Sequence, residues 1–324
     1  MTVAVAINLR GQIAGYYTDA SNSPFPLQKG FLRERNGSLT TFEAAPSATW
    51  VTDMNPQGGL IGYFVDPGQI TTSGFLRHED GTIVAFKGGP TATPSLTRPA
   101  TMAVRLLPCD RDCIDGAGAF AINARGQITG ETGGVTYSGF LRQANGTTIN
   151  FIASQGNLAT APQDINLFGQ IVGYYRVFGG TGPSGFLRQP NGTIIPINVA
   201  NATSTWAQSV NLFSQIAGYF SDANGMVHGF VRHPNGKIVT FDPPGSTGTE
   251  AESINLEGEV TGFYLTADGK SHGFVRKANG HIETFDVPGA AGAGTFPKQI
   301  NDLGDIVGYY EDGNSIIHGF VRSR

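Results

Sequence analysis

Residues 254–285 read INLEGEVTGFYLTADGKSHGFVRKANGHIETF, and this stretch decides the fold. It opens on an apolar residue followed by Asn255, a glycine three positions later, and an aliphatic segment ending at Gly262. A second motif, Gly273-Phe274-Val275-Arg276, is followed by Asn279-Gly280. Asn-Gly between apolar segments is the strongest short-range signal for a β-hairpin. The stretch therefore predicts four consecutive antiparallel strands, named A to D here in chain order.

Both motifs recur seven times in strict alternation along the chain. The motif asparagines are Asn8, Asn55, Asn123, Asn166, Asn211, Asn255 and Asn301, and the second motif starts at Gly30, Gly74, Gly139, Gly185, Gly229, Gly273 and Gly319. Four-stranded meanders repeated about every 45 residues are typical of β-propellers. The sequence thus predicts an all-β fold, a seven-bladed β-propeller of four-stranded antiparallel blades. We expect one domain over residues 1–324, with strand A beside the axis.

The last blade departs from this pattern. The chain stops at Arg324, just after the seventh strand C, so that seven A, B and C strands are accompanied by six D strands. Residues 1–3 are too few to supply another strand. We therefore expect the last blade to lack its outer strand, unless an N-terminal strand precedes this sequence in the native protein.

Composition excludes several classes of function. Charged residues make up 14% of the chain, against about 25% in typical domains, and the formal net charge is −4. No basic patch is present that would favour nucleic acid, and no apolar run is long enough for a membrane span. No phosphate loop, nucleophile elbow or zinc-protease motif occurs, so we expect no cofactor. We expect a monomer, extracellular or periplasmic if a signal peptide was removed and otherwise cytoplasmic.

The repeat resembles the HAF-type repeats of bacterial, mostly extracellular proteins, whose units carry a His-Ala-Phe-Leu-like strand and an Ile-Asn-x-x-Gly turn. The corresponding strands here start at His228, His272 and His318, each followed by Gly-Phe-Val. The first four copies depart from the pattern, with Lys29, Ser73, Ser138 and Ser184 in place of His. The resemblance implies a propeller and often export, and it implies no defined activity because the repeat is a scaffold signature.

The link between blades two and three contains an insertion at about residues 88–117, which makes this repeat about twenty residues longer than the others. Asn55 and Asn123 are 68 positions apart, whereas other neighbouring motif asparagines are 43 to 47 apart. The insertion carries Cys109 and Cys113, which could form a disulfide, remain thiols or supply half a metal site. No second Cys or His pair stands nearby, so we expect no metal. The insertion could act as a lid or be a solvated loop.

Variable loops locate the functional face. The A–B and C–D turns are short and nearly uniform, whereas the B–C loops and D–A links vary, and variable loops on a rigid scaffold usually carry function. Trp50 and Trp206 stand five residues before the motif Asn, where Phe296 and Glu250 stand in other copies. Large aromatics at a mouth could stack on sugar rings or plug the blade junctions. The residues two positions further on, predicted to face the axis, are Thr52, Phe120, Gln163, Gln208, Glu252 and Lys298.

Glu131 interrupts a ring of aromatic residues in strand B. The other copies carry Tyr16, Tyr63, Tyr174, Tyr219, Phe263 and Tyr309 at that position. Desolvation beside aromatics would raise the pKa of this carboxyl toward the range of a general acid or base. The alternative is a salt bridge from Glu131 to Arg105 or Arg111 of the insertion. Blade three, with both features, is the first place where we expect a functional sector.

Two hypotheses of function follow. The first is a propeller that binds a neutral small molecule or glycan at this mouth, with Trp50, Trp206, Phe296, Phe120, Gln163, Gln208 and Arg105 as ligand-binding residues. The second is a cofactor-independent lyase or cyclase in the same pocket, with Glu131 as acid or base and Tyr137, Glu252 and Lys298 as its partners. We expect the repeated histidines and the strand C arginines to be structural.

Overall fold

The computed structural model describes residues 1–19, 27–68, 71–87, 116–133 and 136–324. Arg105, Arg111, Cys109 and Cys113 lie outside the described residues. All the regular elements within those ranges are β-strands, which confirms the predicted all-β class. No helix in them is long and apolar enough to cross a membrane.

The strands follow one another as antiparallel meanders, numbered as units in chain order. Unit one contains β1 (Thr2–Ile7), β2 (Ile13–Asp19), β3 (Leu27–Arg33) and β4 (Leu39–Phe42). Unit two contains β5 (Thr49–Met54), β6 (Leu60–Val65), β7 (Thr72–Arg77) and β8 (Ile83–Phe86). Unit three contains β9 (Ala117–Ile122), β10 (Ile128–Thr132), β11 (Ser138–Arg142) and β12 (Thr148–Phe151). Ala117 therefore belongs to a strand, and the predicted insertion ends before it.

The later units repeat the arrangement. Unit four contains β13 (Asn157–Ile165), β14 (Ile171–Val177), β15 (Ser184–Arg188) and β16 (Ile194–Ile197). Unit five contains β17 (Ser204–Val210), β18 (Ile216–Ser221), β19 (Val227–Arg232) and β20 (Ile238–Phe241). Unit six contains β21 (Gly248–Ile254), β22 (Val260–Leu265), β23 (Ser271–Arg276) and β24 (Ile282–Phe285). Unit seven contains β25 (Gly294–Ile300), β26 (Ile306–Glu311) and β27 (Ile317–Arg322).

Six units thus pair as four-stranded sheets in sequence order, and the seventh has three strands over the part of the chain described. One parallel bridge between Ser271 and Gly294 joins units six and seven. β1 packs against β25, β26 and β27, so the last unit contacts the first. This arrangement is consistent with seven blades around a closed ring.

The motif asparagines connect neighbouring units. The Asn301 side chain donates to the backbone oxygen of Asn8 at 3.2 Å, which joins the last unit to the first. The same hydrogen bond, from the side-chain nitrogen of one motif Asn to the backbone oxygen of the next, joins units three to seven in sequence. The oxygen of the same amide accepts the N–H groups two and four residues later, as Asn211 does from Phe213 and Gln215. One side chain therefore closes the A–B turn and connects two units, which explains why Asn recurs.

Each inner strand carries a β-bulge three residues before the motif Asn. The bulged residues are Val5, Thr52, Phe120, Gln163, Gln208, Glu252 and Lys298. A bulge adds an unpaired residue and changes where its side chain points. At the bulge, strands A and B approach closely. A Cβ built on Gly262 would lie 2.0 Å from the Glu250 backbone oxygen. The second glycine of the first motif is thus required opposite each bulge.

The strand C arginines and histidines have structural partners. Five of the arginines lie over the Phe of the preceding outer strand, 4.8 to 5.1 Å from the ring centroid, as Arg276 does over Phe241. His228 lies 2.7 Å from Asp242, and His318 lies 2.9 Å from Asp312. These contacts agree with the structural roles expected from the sequence.

Candidate functional site

A cavity of about 840 Å³ lies among the seven inner strands. Its wall is formed by the side chains three residues before each motif Asn, by most of those five and two residues before it, and by most of the strand B residues that face them. Strand A enters from the D–A link, so the cavity lies toward the end that carries the variable loops. The cavity is therefore lined by side chains that differ in type from one repeat to the next.

Most of the candidate residues line this cavity. The structure places on its wall Trp50, Thr52, Phe120, Glu131, Gln163, Trp206, Gln208, Glu252 and Lys298. The bulges explain how side chains three and two residues before the motif Asn both reach it. Arg105 lies outside the described residues, so its predicted contact with a ligand stays a prediction.

Phe296 and Tyr137 are not on the cavity wall. The Phe296 ring stacks on Tyr309 with 4.9 Å between centroids and packs edge-on against Phe263, so it is used in packing between strands. The Tyr137 backbone bridges to unit four, accepting the Thr160 N–H at 2.9 Å. The loop before β11 therefore runs toward the unit junction, and the sequence did not show this path.

Side chains two residues before the motif Asn form hydrogen bonds between neighbouring units. Asp164 accepts the Val210 N–H at 2.8 Å and the Ser209 hydroxyl at 2.9 Å. Asp53 accepts the Ile122 N–H at 2.9 Å. Burial raises the pKa of Asp53 to about 7 and also raises the pKa of Asp164. Because both carboxyls hold neighbouring units together, we assign them a structural role.

One side of the cavity is apolar. Val3, Tyr16, Trp50 and Tyr63 form a buried cluster from units one and two. Trp50 stacks on Tyr63 at 5.2 Å and is 8% exposed, so it mainly fills the unit junction. Burial raises the pKa of Tyr16 to about 12, and the phenol therefore stays protonated at neutral pH. This wall offers a hydrophobic surface.

The part of the wall from units five to seven carries charged and amide groups beside aromatic rings. Lys298 Nζ contacts Glu252 Oε1 at 2.8 Å. Burial alone would lower the pKa of Lys298, but Glu252 and Tyr309 raise it above its ordinary value. The Gln208 amide donates to the Tyr219 hydroxyl at 3.2 Å. This part of the wall therefore carries a fixed cation, carboxylates and amides.

Glu250 is the functional candidate that the sequence reasoning missed. Burial, and then the neighbouring Glu252, raise its pKa to about 7, while Lys298 opposes the shift. The Glu250 carboxylate makes no hydrogen bond or ion pair with the residues described. Two carboxylates two positions apart on one strand share a face, so the Glu250-x-Glu252 spacing was a usable signal.

A second titratable cluster on the cavity wall belongs to units six and seven, and the expectation of a functional sector at blade three stays a prediction. Glu131 does line the cavity from β10. The arginines proposed as its partners fall outside the part of the chain described, so that alternative stays open. The coupled groups with shifted pKa values near the mouth are Glu250 and Lys298, on the inner strands of units six and seven.

A groove of about 470 Å³ adjoins the cavity at units four and five. Phe178, Pro183 and Ser204 are among its lining residues. Arg176 and Trp206 line both spaces. Trp206 stacks on Tyr219 at 5.0 Å and is more exposed than Trp50. The two spaces therefore meet at one half-buried tryptophan.

Replacing Glu250 by Gln should change how stability depends on pH. A carboxyl with its pKa raised from 4.5 to about 7 favours the folded state when protonated, so stability is lost as pH rises through this range. Urea unfolding should show the variant equal to the wild type below pH 4.5 and more stable at pH 8, by up to about 3 kcal/mol. The exposed Glu257→Gln is the control. A constant difference across pH would contradict the assignment.

Comparisons with known proteins identify the fold. No known protein family matches the sequence, and no curated protein does. Virginiamycin B lyase from Staphylococcus aureus is similar in structure, with 12% identity, a TM-score of 0.58 and coverage of 99% of this chain and 95% of that one. The β-propeller domain of the Trilobed protease from Pyrococcus furiosus has 9% identity, a TM-score of 0.62 and coverage of 98% and 93%.

A lectin is also similar in structure. BP39L from Burkholderia pseudomallei has 11% identity, a TM-score of 0.53 and coverage of 99% of this chain and 94% of that one. At such low identities the likeness concerns the fold and not the activity. The chain therefore has a β-propeller scaffold with a wide central cavity.

Proposed function

We propose that this protein is a seven-bladed propeller, with its last blade lacking the outer strand, that binds a neutral small molecule or glycan in the central cavity. The observation that carries the proposal is a cavity wall that combines aromatic rings, in units one, two and five, with the amides and carboxylates of the inner strands. The His-Gly-Phe-Val strands of the last three units support a repeat of the HAF type.

The aromatic and polar side chains of the cavity wall suit a polyhydroxylated ligand. The C–H faces of a sugar pack on aromatic rings, while its hydroxyls pair with amides and carboxylates such as Gln163, Gln208 and Glu252. The cavity of about 840 Å³ falls within the usual range of ligand pockets. The groove beyond Trp206 offers room for a second ring, which favours an oligosaccharide over a monosaccharide.

Tryptophan emission tests this proposal, because Trp50 and Trp206 are the two tryptophans of the chain. A panel of neutral mono- and oligosaccharides should include at least one that shifts the emission and saturates in calorimetric titration. We expect the double variant Trp50→Ala, Trp206→Ala to lose at least tenfold in affinity, from the lost stacking on two rings.

The control is Phe168→Ala, Phe213→Ala, which removes two exposed aromatics from A–B turns at the opposite end. Its affinity should equal that of the wild type. Unchanged affinity in the tryptophan double variant, once its fold is verified by circular dichroism, would rule out this binding mode.

A lyase or cyclase in the same cavity is the second candidate. The observation that favours it is Glu250, whose carboxyl is divided between acid and base forms near pH 7 and faces the same space as Lys298. A general acid or base works best with a pKa near the working pH. Glu131 lines the cavity as well and stays a candidate for this role.

Product analysis separates the two functions. Any bound compound is incubated with the wild type, Glu250→Gln and Glu131→Gln and then analysed by chromatography and NMR. An enzyme should convert it with a rate that changes near pH 7, and Glu250→Gln should lose at least 100-fold in rate with little change in affinity. If the compound is recovered unchanged, the enzyme hypothesis fails and the binding hypothesis is retained.

A further inference from the structure

The groove between units four and five is built by an extended hairpin of unit four. Its inner strand β13 runs over nine residues, Asn157–Ile165, and has a second bulge at Leu158 in addition to the one that every unit shares. A bulge leaves its residue unpaired and changes where the side chain points. Leu158 lines the groove together with Phe178, from the loop that follows β14. The groove therefore depends on features that the repeat itself does not supply.

The loop that borders the groove is held at both ends by backbone hydrogen bonds. At its start, the Phe178 N–H donates to the Gly156 oxygen at 3.1 Å. At its end, the Pro183 oxygen accepts the Thr205 N–H of unit five at 2.8 Å. Because the loop is anchored to both units, the groove is a formed space beside Trp206.

Arg176 is the only charged side chain among the described residues that line the groove. It stands on β14, three positions after Gly173, the second glycine of the first motif. The residues at this position in the other copies are Thr18, Val65, Gly133, Ser221, Leu265 and Glu311. The repeat therefore does not require a cation here, and Arg176 is a particular feature of unit four.

The Arg176 guanidinium has no counter-ion among the described residues. The side chain is half-buried, and no described residue accepts a hydrogen bond from it or forms an ion pair with it. Lys298, by contrast, is held 2.8 Å from Glu252 on the cavity wall. A charge shielded in part from water interacts more strongly with an opposite charge than one in open solvent. Arg176 is thus placed to attract an anionic group into the groove.

We propose that the groove binds a sugar carboxylate through Arg176, so that the ligand is an oligosaccharide with a hexuronic acid next to the neutral ring held in the cavity. This inference rests on the proposed function and names its class of ligand. The planar guanidinium matches a carboxylate with two parallel hydrogen bonds. Trp206 lines both spaces and offers apolar surface at the junction of the two rings. Thr181 and Ser204 of the groove add hydroxyls for the acidic sugar.

Calorimetric titration with matched pairs of saccharides tests the proposal. Each pair consists of a neutral disaccharide, such as cellobiose or lactose, and its counterpart with one hexose oxidised at C6 to a hexuronic acid. For at least one pair we expect the acid to bind the wild type about fivefold more tightly than the neutral form, and the gain to shrink as NaCl is raised. In Arg176→Gln the ratio of the two affinities should fall to about one. Arg125→Gln, at an exposed arginine on the A–B turn of unit three, should keep the wild-type ratio.

Iodide quenching gives a readout that needs no saccharide. In a Trp50→Phe background Trp206 is the only tryptophan, and an unpaired guanidinium beside it concentrates the anionic quencher. Arg176→Gln should lower the iodide quenching constant by about twofold at low salt, while quenching by neutral acrylamide stays the same. Equal iodide quenching of the two proteins would show that the guanidinium is already neutralised within the chain and would overturn the proposal.

The titrations separate this inference from the proposed function. Neutral disaccharides that bind, with no gain from the carboxylate, would overturn the inference alone, as would a gain that Arg176→Gln retains. If neither member of any pair binds, the proposed function fails and the inference fails with it. A larger gain for a sulfated disaccharide than for the hexuronic acid would overturn the choice of a carboxylate.

Discussion

Replacing Gly218 by Ala should destabilise the protein by about 4 kcal/mol or more, among the largest effects of a single methyl group. The new Cβ would lie 2.1 Å from the Trp206 backbone oxygen and 3.0 Å from the Ala207 Cα. Both are backbone atoms of the inner strand next to its bulge, so relief requires that strand to move. Urea unfolding followed by circular dichroism would measure the loss.

Gly313→Ala is the matched control for this change. Its backbone has no positive φ, and the nearest atom to a new Cβ is the Ala291 methyl at 3.8 Å. We expect a change within about 0.5 kcal/mol, in either direction. Equal destabilisation by the two variants would show that the bulge does not require glycine opposite it.

Lys298→Met should produce the second large loss, about 2 kcal/mol at pH 8. It removes the cation held 2.8 Å from Glu252, and it leaves Glu250 and Glu252 together in a half-buried site. Breaking a buried pair costs about 3 to 5 kcal/mol, and the partial exposure of Lys298 reduces this. The loss should shrink as pH falls toward 4.5, because the Glu250 carboxyl becomes protonated.

A double-variant cycle checks the cause. Glu252→Gln combined with Lys298→Met removes both charges of the pair and should recover most of the lost stability at pH 8. Denaturant unfolding of the four proteins gives the coupling free energy. Losses that simply add would show that Lys298 acts through packing, such as its contact with the Phe263 ring, instead of through its charge.

The strand order could be predicted because each repeat carries its own turn signals. The Asn-Gly dipeptides and the paired motifs locate strands A to D within a residue or two. The alternation of side chains along strand A also placed Gln208 and Lys298 toward the axis correctly.

The bulges and the loop paths could not be predicted. A bulge depends on how two strands pair, and the residue it displaces has no sequence signature of its own. Phe296 occupies the same repeat position as Trp206, but it is held between Tyr309 and Phe263 and misses the cavity wall. The pKa of Glu250 depends on burial and on Glu252 and Lys298, which come together only when the chain is folded.

The central claim is that the cavity lined by aromatic rings and polar side chains holds the ligand. The most direct test is a crystal structure of the protein with the neutral saccharide that binds it most tightly in the titrations. We predict density for a sugar ring beside Trp206, within hydrogen-bond distance of Gln208 or Glu252. A saccharide bound elsewhere on the propeller, with the cavity holding only water, would contradict the account.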